Sequence, residues 1–359
     1  MKIVMTGGGT AGHVTPNIAL KDELINMGYT IEYIGTENGI ERKLIEKENI
    51  KYHSISAGKL RRYIDFENIT DLFKIAKGFF QANAHLRNIK PDVVFSKGGF
   101  VSCPVVWAAK VNRIPVLIHE SDITPGLANK LSIPFAKKIC YATPETQRYV
   151  PKNKSLLTGI PVRKSILRGS KKRGLSLCGF SSNKPIVLII GGSLGAKSIN
   201  SAIREGLDEL LLNYQICHLT GEAGFDSNYD NISGYKQFSY LNSEMADIFQ
   251  MADIVISRAG ATTLFELLSL KKPNILIPLP KNVSRGDQIL NANYFKKEGF
   301  SEVIEEDILN NSVLIEYIKK TLNHKDKYIA AMDKSELNNS VELITNLIKE
   351  AVSYTHLTL

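Results

Sequence analysis

Two short stretches of this sequence combine glycines with residues that can do chemistry. The first runs from Gly7 to His13, follows an apolar segment and precedes a helical pattern. The second, Gly191 to Gly195, repeats this arrangement, and Asn17 and Asn200 fall at the same offset from the two turns. Glycines let the backbone approach a ligand closely, and the helix that follows offers N–H groups and a positive dipole end to an anion. The sequence therefore predicts two strand–loop–helix domains, each with an anion site.

The first glycine turn differs from the second because a histidine, His13, follows its last glycine. An imidazole titrates near neutral pH and can therefore act as a general base. At a helix start beside phosphates it can instead bind a phosphate, or it can serve in capping or packing. The asymmetry suggests binding in one half of the chain and chemistry in the other.

A third glycine turn and an acidic segment follow two further predicted strands. Gly98 and Gly99 come after one apolar run, and Glu120 and Asp122 come after another. Ligands of open parallel sheets lie beyond the carboxyl ends of the strands. Both carboxylates are therefore placed where chemistry is expected, although Asp122 or Thr124 can also cap a helix.

Strand and helix patterns alternate along the chain, which predicts an α/β protein with parallel sheets and crossover helices. The proline and glycine cluster from Thr158 to Arg163 has the composition of a hinge. We expect an N-terminal domain over residues 1–160 and a C-terminal domain over 161–336. A helix over 337–352 can return to the first domain, and residues 353–359 have the character of a non-native or disordered tail. The predicted strands are 2–6, 30–34, 92–96, 116–118, 186–190, 215–220, 254–257 and 275–277.

The composition is that of a globular protein with a basic balance. Of 359 residues, 43% are hydrophobic and 23% are charged, and the net charge is +9. A basic protein suits nucleic acid, an anionic membrane surface or a phosphorylated substrate. We expect no signal peptide, because the N-terminus enters a strand directly, and no apolar run approaches the ~20 residues that span a bilayer. The four cysteines are scattered, which favours reduced core thiols in a cytosolic protein.

Residues 57–81 combine a basic start with an amphipathic helical pattern. Lys59, Arg61 and Arg62 precede the pattern, and Lys74 and Lys77 lie within it. Its apolar residues share one helical face: Ile69, Leu72, Phe73, Ala76, Phe79 and Phe80. Two interpretations stay open: the helix covers its own sheet, or its apolar face rests on an anionic bilayer.

The first glycine turn also fits a dinucleotide-binding pattern. Gly7, Gly9 and Gly12 match G-x-G-x-x-G, and Glu32 falls roughly where such folds place the acid that binds ribose. This pattern alone is weak, and the second glycine turn has no place in a simple dehydrogenase. We therefore disfavour a nicotinamide cofactor.

An ordered set of motifs gives the chain a resemblance to a known family. They lie at residues 8–13, 97–102, 119–122, 125–130, 159–163, 191–196, 257–263 and 287–288. From Met1 to about Ile348 the chain resembles the MurG family of peptidoglycan N-acetylglucosaminyltransferases. The resemblance implies a GT-B fold, in which two Rossmann-like domains with parallel sheets face a central cleft. It also implies inverting transfer with no metal in the site and no cofactor.

The same resemblance implies a reaction and a location. The enzyme would move GlcNAc from UDP-GlcNAc to the C4 hydroxyl of lipid I, which is MurNAc-pentapeptide diphospho-undecaprenol, and form lipid II for peptidoglycan synthesis, cell shape and cell division. Because the undecaprenyl chain stays in the bilayer, the enzyme is expected at the cytoplasmic face of the cell membrane as a peripheral protein. Other proteins of cell-wall synthesis are candidate partners, and nucleic acid is not.

For the donor, the resemblance implies a set of binding residues: Thr10, Gly12, Arg163, Gly192, Ser193, Tyr240, Leu241, Glu266, Asp287 and Gln288. Gly192 and Ser193 would bind the UDP diphosphate, with Arg163 as an added cation, and the uracil would lie near Tyr240 and Leu241. Glu266 would hold the ribose hydroxyls, although Thr263 and Glu266 also fit a helix capping box. Asp287 and Gln288 would contact the donor sugar, and Asp287 departs from the glutamine that such families often have.

For the acceptor diphosphate, the implied residues are Gly8, Gly9, His13, Gly98, Gly99, Glu120 and Asn129. Inverting transfer also needs a base that takes the proton from the acceptor hydroxyl. His13 is the leading candidate for this base and Asp122 is its rival. Some relatives have asparagine at the position of Asp122, which favours an orienting role there.

Three other functions stay open. A UDP-GlcNAc 2-epimerase would share the fold, but it needs two catalytic acids near the sugar C2 and leaves the apolar and basic segment without a purpose. A different lipid-surface glycosyltransferase, such as a diacylglycerol glucosyltransferase, would share the glycine-rich plan. A non-enzymatic nucleotide-binding or membrane adaptor module would not depend on His13.

Overall fold

Alternating strands and helices build two separate units of this chain. The computed structural model describes residues 1–58, 67–192 and 195–356, and for residues 67–70 and 354–356 it describes the backbone alone. The first unit comprises Met1–Arg163 and Leu337–Leu359, and the second comprises Lys164–Glu336. The chain therefore leaves the first unit once and returns to it at the end.

Each unit contains one parallel sheet within the described ranges. In the first unit the strands are β1 (Lys2–Thr6), β2 (Thr30–Thr36), β3 (Lys51–Ile55), β4 (Val93–Ser96), β5 (Val116–Glu120), β6 (Lys138–Tyr141) and β7 (Ser155–Leu157). In the second unit they are β8 (Ile186–Ile190), β9 (Gln215–Leu219), β10 (Tyr235–Phe238), β11 (Ile254–Ser257), β12 (Asn274–Leu276) and β13 (Glu302–Val303). The strand orders are β3-β2-β1-β4-β5-β6-β7 and β10-β9-β8-β11-β12-β13.

Helices make most of the crossover connections that parallel strands require. Those of the first unit are α1 (Thr15–Asn26), α2 (Ile40–Glu46), α3 (Glu67–Ile89), α4 (Ser102–Val111) and α5 (Leu127–Ser132). Those of the second unit are α6 (Lys171–Cys178), α7 (Lys197–Glu205), α8 (Leu207–Asn213), α9 (Met245–Met251), α10 (Ala261–Leu270), α11 (Asp287–Lys297), α12 (Asn311–Asn323) and α13 (Lys325–Asp333). The last helix, α14 (Ser340–His356), belongs to the first unit.

The central strands, such as β1, β4 and β11, are buried on both faces, which explains why they are apolar runs and not alternating patterns. In β1, Ile3 and Met5 face a core cluster that contains Leu20 of α1 and Ile348 of α14. Val4 faces the opposite cluster, which is covered by α3 and α4. The C-terminal helix is therefore part of the core of the first unit.

Because the strands are parallel, the loops after their carboxyl ends gather at one edge of each sheet. The direction of strand order reverses between β1 and β4 in the first unit and between β8 and β11 in the second. Such switch points open a crevice between neighbouring loops. The first and third glycine turns follow β1 and β4, and the second follows β8, so each turn lies at a switch point.

The predicted α/β class is confirmed, and several element boundaries differ from expectation. Helix α14 continues to His356, past the expected end at Val352, and Ser353 donates its hydroxyl to the Lys349 carbonyl oxygen (3.0 Å) within that helix. Strands β3, β6, β7, β10 and β13 lie in segments where no strand was predicted. All four cysteines are buried and free. In the described parts of the chain, no helix is long and apolar enough to cross a membrane.

Candidate functional site

The first and third glycine turns touch at the carboxyl edge of the first sheet. The Gly8 N–H donates a hydrogen bond to the Gly98 carbonyl oxygen (3.3 Å). A Cβ on Gly99, which has a φ of +84°, would overlap the Gly8 carbonyl oxygen, so this approach requires glycine. The structure thus brings together Gly8, Gly9, Gly98 and Gly99, which sequence analysis assigned to the acceptor.

A buried carboxylate that sequence analysis missed, Glu41 of α2, fixes the first turn. Its Oε2 accepts the Gly9 N–H (3.2 Å), and its Oε1 accepts the backbone N–H (3.1 Å) and the hydroxyl (2.5 Å) of Thr36. The Gly8 and Gly9 N–H groups therefore already have protein acceptors. No local pattern marks Glu41 as the partner of Gly9, because the two residues are 32 positions apart in the sequence.

Two buried polar side chains hold the base of the same turn. The Tyr33 hydroxyl donates to the Gly7 carbonyl oxygen (2.7 Å). Asn17 Nδ2 lies within hydrogen-bond distance of the Tyr33 hydroxyl (3.1 Å) and the Thr6 carbonyl oxygen (3.3 Å). Burial raises the pKa of Tyr33, so its phenol stays protonated.

Asn200 has the corresponding place in the second unit. Its Nδ2 donates to the Thr220 carbonyl oxygen (3.0 Å), and its Oδ1 lies 2.9 Å from Nε2 of His218. Burial and the nearby Arg204 lower the pKa of His218 to about 3, so this imidazole is neutral and belongs to the scaffold. The shared offset of Asn17 and Asn200 therefore marks a buried asparagine in each unit, which bonds to the end of β1 in the first unit and to the residue after β9 in the second.

His13 ends a short 3₁₀ turn, Ala11–His13, between β1 and α1. Its Nδ1 lies 2.9 Å from Thr10 Oγ1. When Nδ1 carries the proton and donates it to Thr10, Nε2 keeps a lone pair and can accept a proton from a substrate. Thr10, which was expected to contact the donor, thus contacts the candidate base and orients its ring.

Glu120 and Asn129 organise the loop after β5. Glu120 accepts the Asp122 N–H (2.9 Å) at Oε1, and it accepts the Gly126 N–H (3.0 Å) and Asn129 Nδ2 (2.8 Å) at Oε2. Asn129 also donates to the His119 carbonyl oxygen (3.1 Å). Both side chains are buried and shape the loop through bonds within the protein, whereas sequence analysis expected them to contact the acceptor. Asp122, in the same loop, is half-buried.

Two buried nitrogen side chains lie behind this loop. His119 Nε2 lies 2.7 Å from the Gly159 carbonyl oxygen, and Lys97 Nζ donates to the Ser121 hydroxyl. Burial and the neighbouring Lys97 hold the pKa of His119 well below its ordinary value. His119 is therefore neutral, and it connects β5 to Gly159 within the predicted hinge segment.

The second glycine turn has open space on its outer side. Gly192 has a φ of +88°, and no described atom lies within 4 Å of the position that a Cβ would take. Positive φ favours glycine, and the open space leaves room for a ligand close to the backbone. Ser193, which was assigned to the donor diphosphate, lies outside the described residues.

Arg258, to which sequence analysis gave no separate role, joins β11 to its surroundings. Its guanidinium donates to the Ile277 carbonyl oxygen (3.1 Å) and to Ser198 Oγ (3.1 Å), and it pairs with Glu306. Burial acts to raise the pKa of Glu306, but the hydrogen bonds from Arg258 and Ser198 outweigh it and the net pKa is lowered. The pair therefore stays ionised and fixes the loops beside the second glycine turn.

Glu266 is the sixth of the ten residues of α10 and is half-buried. The N-cap of this helix is Gly260, and no side chain caps it. Thr263 is therefore inside the helix, and the alternative that Thr263 and Glu266 form a capping box is wrong.

The start of α11 carries the remaining sugar-site candidates. Asp287 pairs with Arg285 (2.7 Å), and Gln288 Oε1 accepts the Leu279 N–H (3.1 Å). Gln288 thus ties α11 to the segment after β12. Its carbonyl oxygen already has a protein donor.

Two other donor candidates follow β10, and one lies in the first unit. Tyr240 and Leu241 come after the carboxyl end of β10, and Tyr240 is exposed. Arg163 is half-buried and is the last residue of the first unit before the chain enters the second.

Helix α3 presents an exposed apolar face, which we call the α3 face and define as Leu72, Phe73 and Phe80. Lys74 and Lys77 are exposed beside it, and Lys74 lies 3.3 Å from Asp71. Phe79 differs from the expectation, because it is half-buried and packs against the core. The side chain of Ile69 and residues Lys59, Arg61 and Arg62 lie outside the described part of the chain.

The acid proposed for ribose in a dinucleotide site has another partner. Glu32 is buried within β2, not after its end, and its Oε2 lies 2.5 Å from His53 Nε2 and 3.3 Å from Lys51 Nζ. Burial acts to raise the pKa of Glu32, and the hydrogen bonds from His53 and Lys51 turn the net shift downward. Glu32 is therefore a structural carboxylate. Among the described residues, no three His, Cys, Asp or Glu side chains converge to hold a metal ion.

Two family models match this chain in order. The model of the glycosyltransferase family 28 N-terminal domain matches residues 3–141, and that of the C-terminal domain matches residues 186–347. The chain belongs to glycosyltransferase family 28. The two matches include the glycine turns of the first and second units, respectively.

Curated relatives of this family 28 chain extend the similarity to nearly its full length. Proteins of Clostridium botulinum and Clostridium novyi are each 54% identical to it, over 349 and 350 residues. The alignments cover 97% of the chain and 99% and 98% of these relatives. Both relatives are named UDP-N-acetylglucosamine–N-acetylmuramyl-(pentapeptide) pyrophosphoryl-undecaprenol N-acetylglucosamine transferase. The resemblance to the MurG family is thereby confirmed.

Solved structures of family 28 and related folds agree with this assignment. MurG of Acinetobacter baumannii matches with a TM-score of 0.73 and 26% identity, over 97% of this chain and 99% of that one. The UDP-GlcNAc 2-epimerase of Neisseria meningitidis, bound to UDP-GlcNAc, matches with a TM-score of 0.68 over 98% and 100% of the chains. At 14% identity, the epimerase shows a shared fold alone. The predicted GT-B fold is confirmed.

Proposed function

We propose that this family 28 member is an inverting N-acetylglucosaminyltransferase that moves GlcNAc from UDP-GlcNAc to the C4 hydroxyl of lipid I and so forms lipid II. The observation that carries the proposal is 54% identity, over nearly the whole chain, to proteins named for this transfer. Glycine turns at the switch points of both sheets support it, because the donor and the acceptor each carry a diphosphate.

In this proposal the second unit binds the donor. The backbone at Gly192 and the start of α7 offer N–H groups to the UDP diphosphate, and they stabilise the charge that develops on UDP as it leaves. Glu266 holds the ribose hydroxyls, since a carboxylate can accept from two adjacent hydroxyl groups. The remaining proposed donor contacts of this unit are Ser193, Tyr240, Leu241, Asp287 and Gln288, and the first unit is proposed to add Thr10, Gly12 and Arg163.

The first unit binds the acceptor and supplies the base. His13 Nε2 takes the proton of the C4 hydroxyl while that oxygen attacks C1 of GlcNAc and the bond from C1 to the UDP oxygen breaks, which inverts C1. The contact between Thr10 and His13 Nδ1 supports this role, because it can hold the ring in the tautomer that leaves Nε2 unprotonated. Asp122 is the alternative base, or it orients the acceptor sugar.

The α3 face is proposed to rest on the anionic cytoplasmic leaflet, where the acceptor's lipid is embedded. Its apolar side chains enter the headgroup region, and Lys74 and Lys77 lie beside them to meet lipid phosphates. In this arrangement the first unit, with α14, binds membrane and acceptor, and the second unit binds the donor. Other cell-wall synthesis proteins are proposed to contact the enzyme at the cytoplasmic membrane surface.

The test is transfer of labelled GlcNAc from UDP-GlcNAc to a short-chain MurNAc-pentapeptide diphospholipid, with UDP-glucose as a parallel donor. We expect a disaccharide lipid when UDP-GlcNAc is the donor and none when UDP-glucose is the donor. His13→Ala is expected to abolish transfer. The matched control is His324→Ala, which removes an exposed imidazole of the second unit. Formation of UDP-ManNAc without any lipid product would instead identify an epimerase. Binding of UDP-GlcNAc without formation of any product would show that lipid I is not the acceptor.

A further inference from the structure

Lys97 is a buried cation next to the proposed acceptor loops. Its side chain is 1% exposed, although lysine is almost never fully buried unless it is paired. It follows β4 directly and precedes the third glycine turn, and its backbone N–H donates to the Thr6 carbonyl oxygen (2.9 Å) at the end of β1. The cation therefore lies below the point where the first and third turns meet, without a path to bind a substrate directly.

The ammonium of Lys97 reaches across to the loop after β5. Its Nζ donates to the hydroxyl of Ser121, which stands between Glu120 and Asp122. The Glu120 carboxylate accepts hydrogen bonds from the backbone of that loop, at the N–H groups of Asp122 and Gly126. Ser121 is therefore the link by which Lys97 can fix the position of Asp122.

The charged and titratable groups around Lys97 come from two strands, β5 and β6, and from the loop after β5. Glu120 and Asp122 belong to β5 and its loop, Cys140 is a buried thiol of β6, and His119 is a neutral imidazole of β5. Burial lowers the pKa of Lys97 to about 8, against the attraction of the two carboxylates. At neutral pH the side chain is therefore still charged, and its positive charge favours ionised carboxylates nearby.

We infer that Lys97 is a positioning residue of the transfer reaction, which anchors Ser121, fixes Asp122 beneath the acceptor sugar and favours the ionised form of Asp122. This inference rests on the proposed function for its consequence in catalysis. Its electrostatic part, the effect of Lys97 on Asp122, is independent of any substrate. A purely structural lysine would fill space and satisfy a hydroxyl but would leave the ionisation of Asp122 unchanged.

The test compares Lys97→Met, which keeps the length and removes the charge, with Ser121→Ala, which keeps the charge and removes the link. Lys154→Met is the matched control, because Lys154 is a half-buried lysine of the same unit that donates to the Ile133 and Ala136 carbonyl oxygens. Circular dichroism and UDP-GlcNAc binding by the second unit report whether each variant is folded.

Two readouts separate positioning from structure. The first is the pH profile of kcat and of kcat/KM for the lipid acceptor. The second is the pKa of Asp122 in the free protein, followed by carboxyl ¹³C NMR and assigned by the loss of its signal in Asp122→Asn. We expect Lys97→Met to lower kcat about tenfold or more and to raise the pKa of Asp122 by about 1, since loss of an adjacent opposite charge moves a carboxyl pKa by this order. Ser121→Ala is expected to lower kcat with little change in that pKa.

The outcomes decide separately on the two claims. If Lys97→Met leaves the pKa of Asp122 and the pH profile as in wild type and Lys154→Met, the inference is overturned, even if kcat falls. If the wild-type protein transfers no sugar but Lys97→Met still raises the pKa of Asp122, the proposed function fails and the electrostatic role of Lys97 stands.

Discussion

Replacing the three side chains of the α3 face with serine is expected to abolish binding of this protein to anionic membranes. Leu72, Phe73 and Phe80 are 66%, 73% and 68% exposed. Their replacement therefore removes apolar surface without opening a cavity in the core. Phe79 stays in place because it packs against the core.

The size of the effect follows from the exposed area. Full burial of a leucine or phenylalanine side chain contributes about 1.5–3 kcal/mol, and about two-thirds of each of these side chains is available, so each contributes about 1–2 kcal/mol on entering the headgroup region. Three such side chains sum to about 3–6 kcal/mol, which corresponds to a loss of about 10²- to 10⁴-fold in partitioning. Lys74 and Lys77 add about 1 kcal/mol each near an anionic surface, and this part weakens with salt.

The assay is co-sedimentation with vesicles of phosphatidylglycerol and phosphatidylcholine across a range of ionic strength. The matched control is Leu212→Ser, which removes a side chain that is 71% exposed but belongs to the second unit. Wild type and this control should sediment with anionic vesicles, and the triple variant should stay in the supernatant. With an acceptor of short, soluble lipid chain, all three proteins should have similar kcat.

Equal sedimentation of the triple variant and wild type would refute the reasoning, because the α3 face would then not be what contacts the bilayer. Loss of activity on the soluble acceptor in the triple variant would refute it differently. That result would mean that α3 acts on the acceptor site and not on membrane affinity.

Three further predictions concern groups around the glycine turns. Thr10→Val removes the hydroxyl that contacts His13 Nδ1, so kcat should fall about tenfold and the acidic limb of the pH–rate profile should shift. Initial rates measured against pH test this prediction. Unchanged rates would mean that Thr10 does not orient the base. Glu41→Ala leaves the Gly9 and Thr36 N–H groups without their acceptor, which costs about 1–3 kcal/mol for each group. The free energy of unfolding, measured in urea, should therefore fall by about 2–6 kcal/mol. An unchanged unfolding midpoint would mean that these two hydrogen bonds do not stabilise the fold. For Lys97, a pKa lowered by burial from 10.5 to about 8 means that the unfolded chain binds more protons between those values, so stability should rise with pH across that window by about 3 kcal/mol. That rise should be missing in Lys97→Met, and identical pH dependence in both proteins would show that the ammonium is not desolvated.

The predictions from sequence succeeded where the signal is local. β8 and β11 were predicted at the boundaries that the structure shows, because fully buried parallel strands are continuous apolar runs. The glycine turns were equally visible, since glycine is needed wherever backbones approach as closely as at Gly99 and Gly8. The edge strands were missed because they are short or partly exposed, and β13 has only the residues Glu302–Val303.

The candidate site was predicted less completely, because its supports come from distant parts of the chain. Glu41 reaches the first turn from α2, and nothing near it in the sequence marks a partner of Gly9. Glu120 was expected beyond the end of a strand, but it is the last residue of β5, and the sequence cannot show that both its oxygens accept bonds within the loop that follows. Lys97 stood inside a recognised motif, and its burial became visible only with the fold.

The return of α14 to the first unit sets an order for folding during synthesis. Ile344, Leu347 and Ile348 complete the core that contains Ile3 and Leu20, yet a ribosome makes them only after the whole of the second unit. At about 5–20 residues per second, residues 164–336 take about 9–35 s. During that time the face of the first sheet that α1 covers lacks the part of its cover that α14 provides, while the second unit is continuous in the chain and can close its core first. A nascent or truncated chain that ends before α14 therefore exposes apolar surface of the first unit, which favours aggregation or chaperone binding.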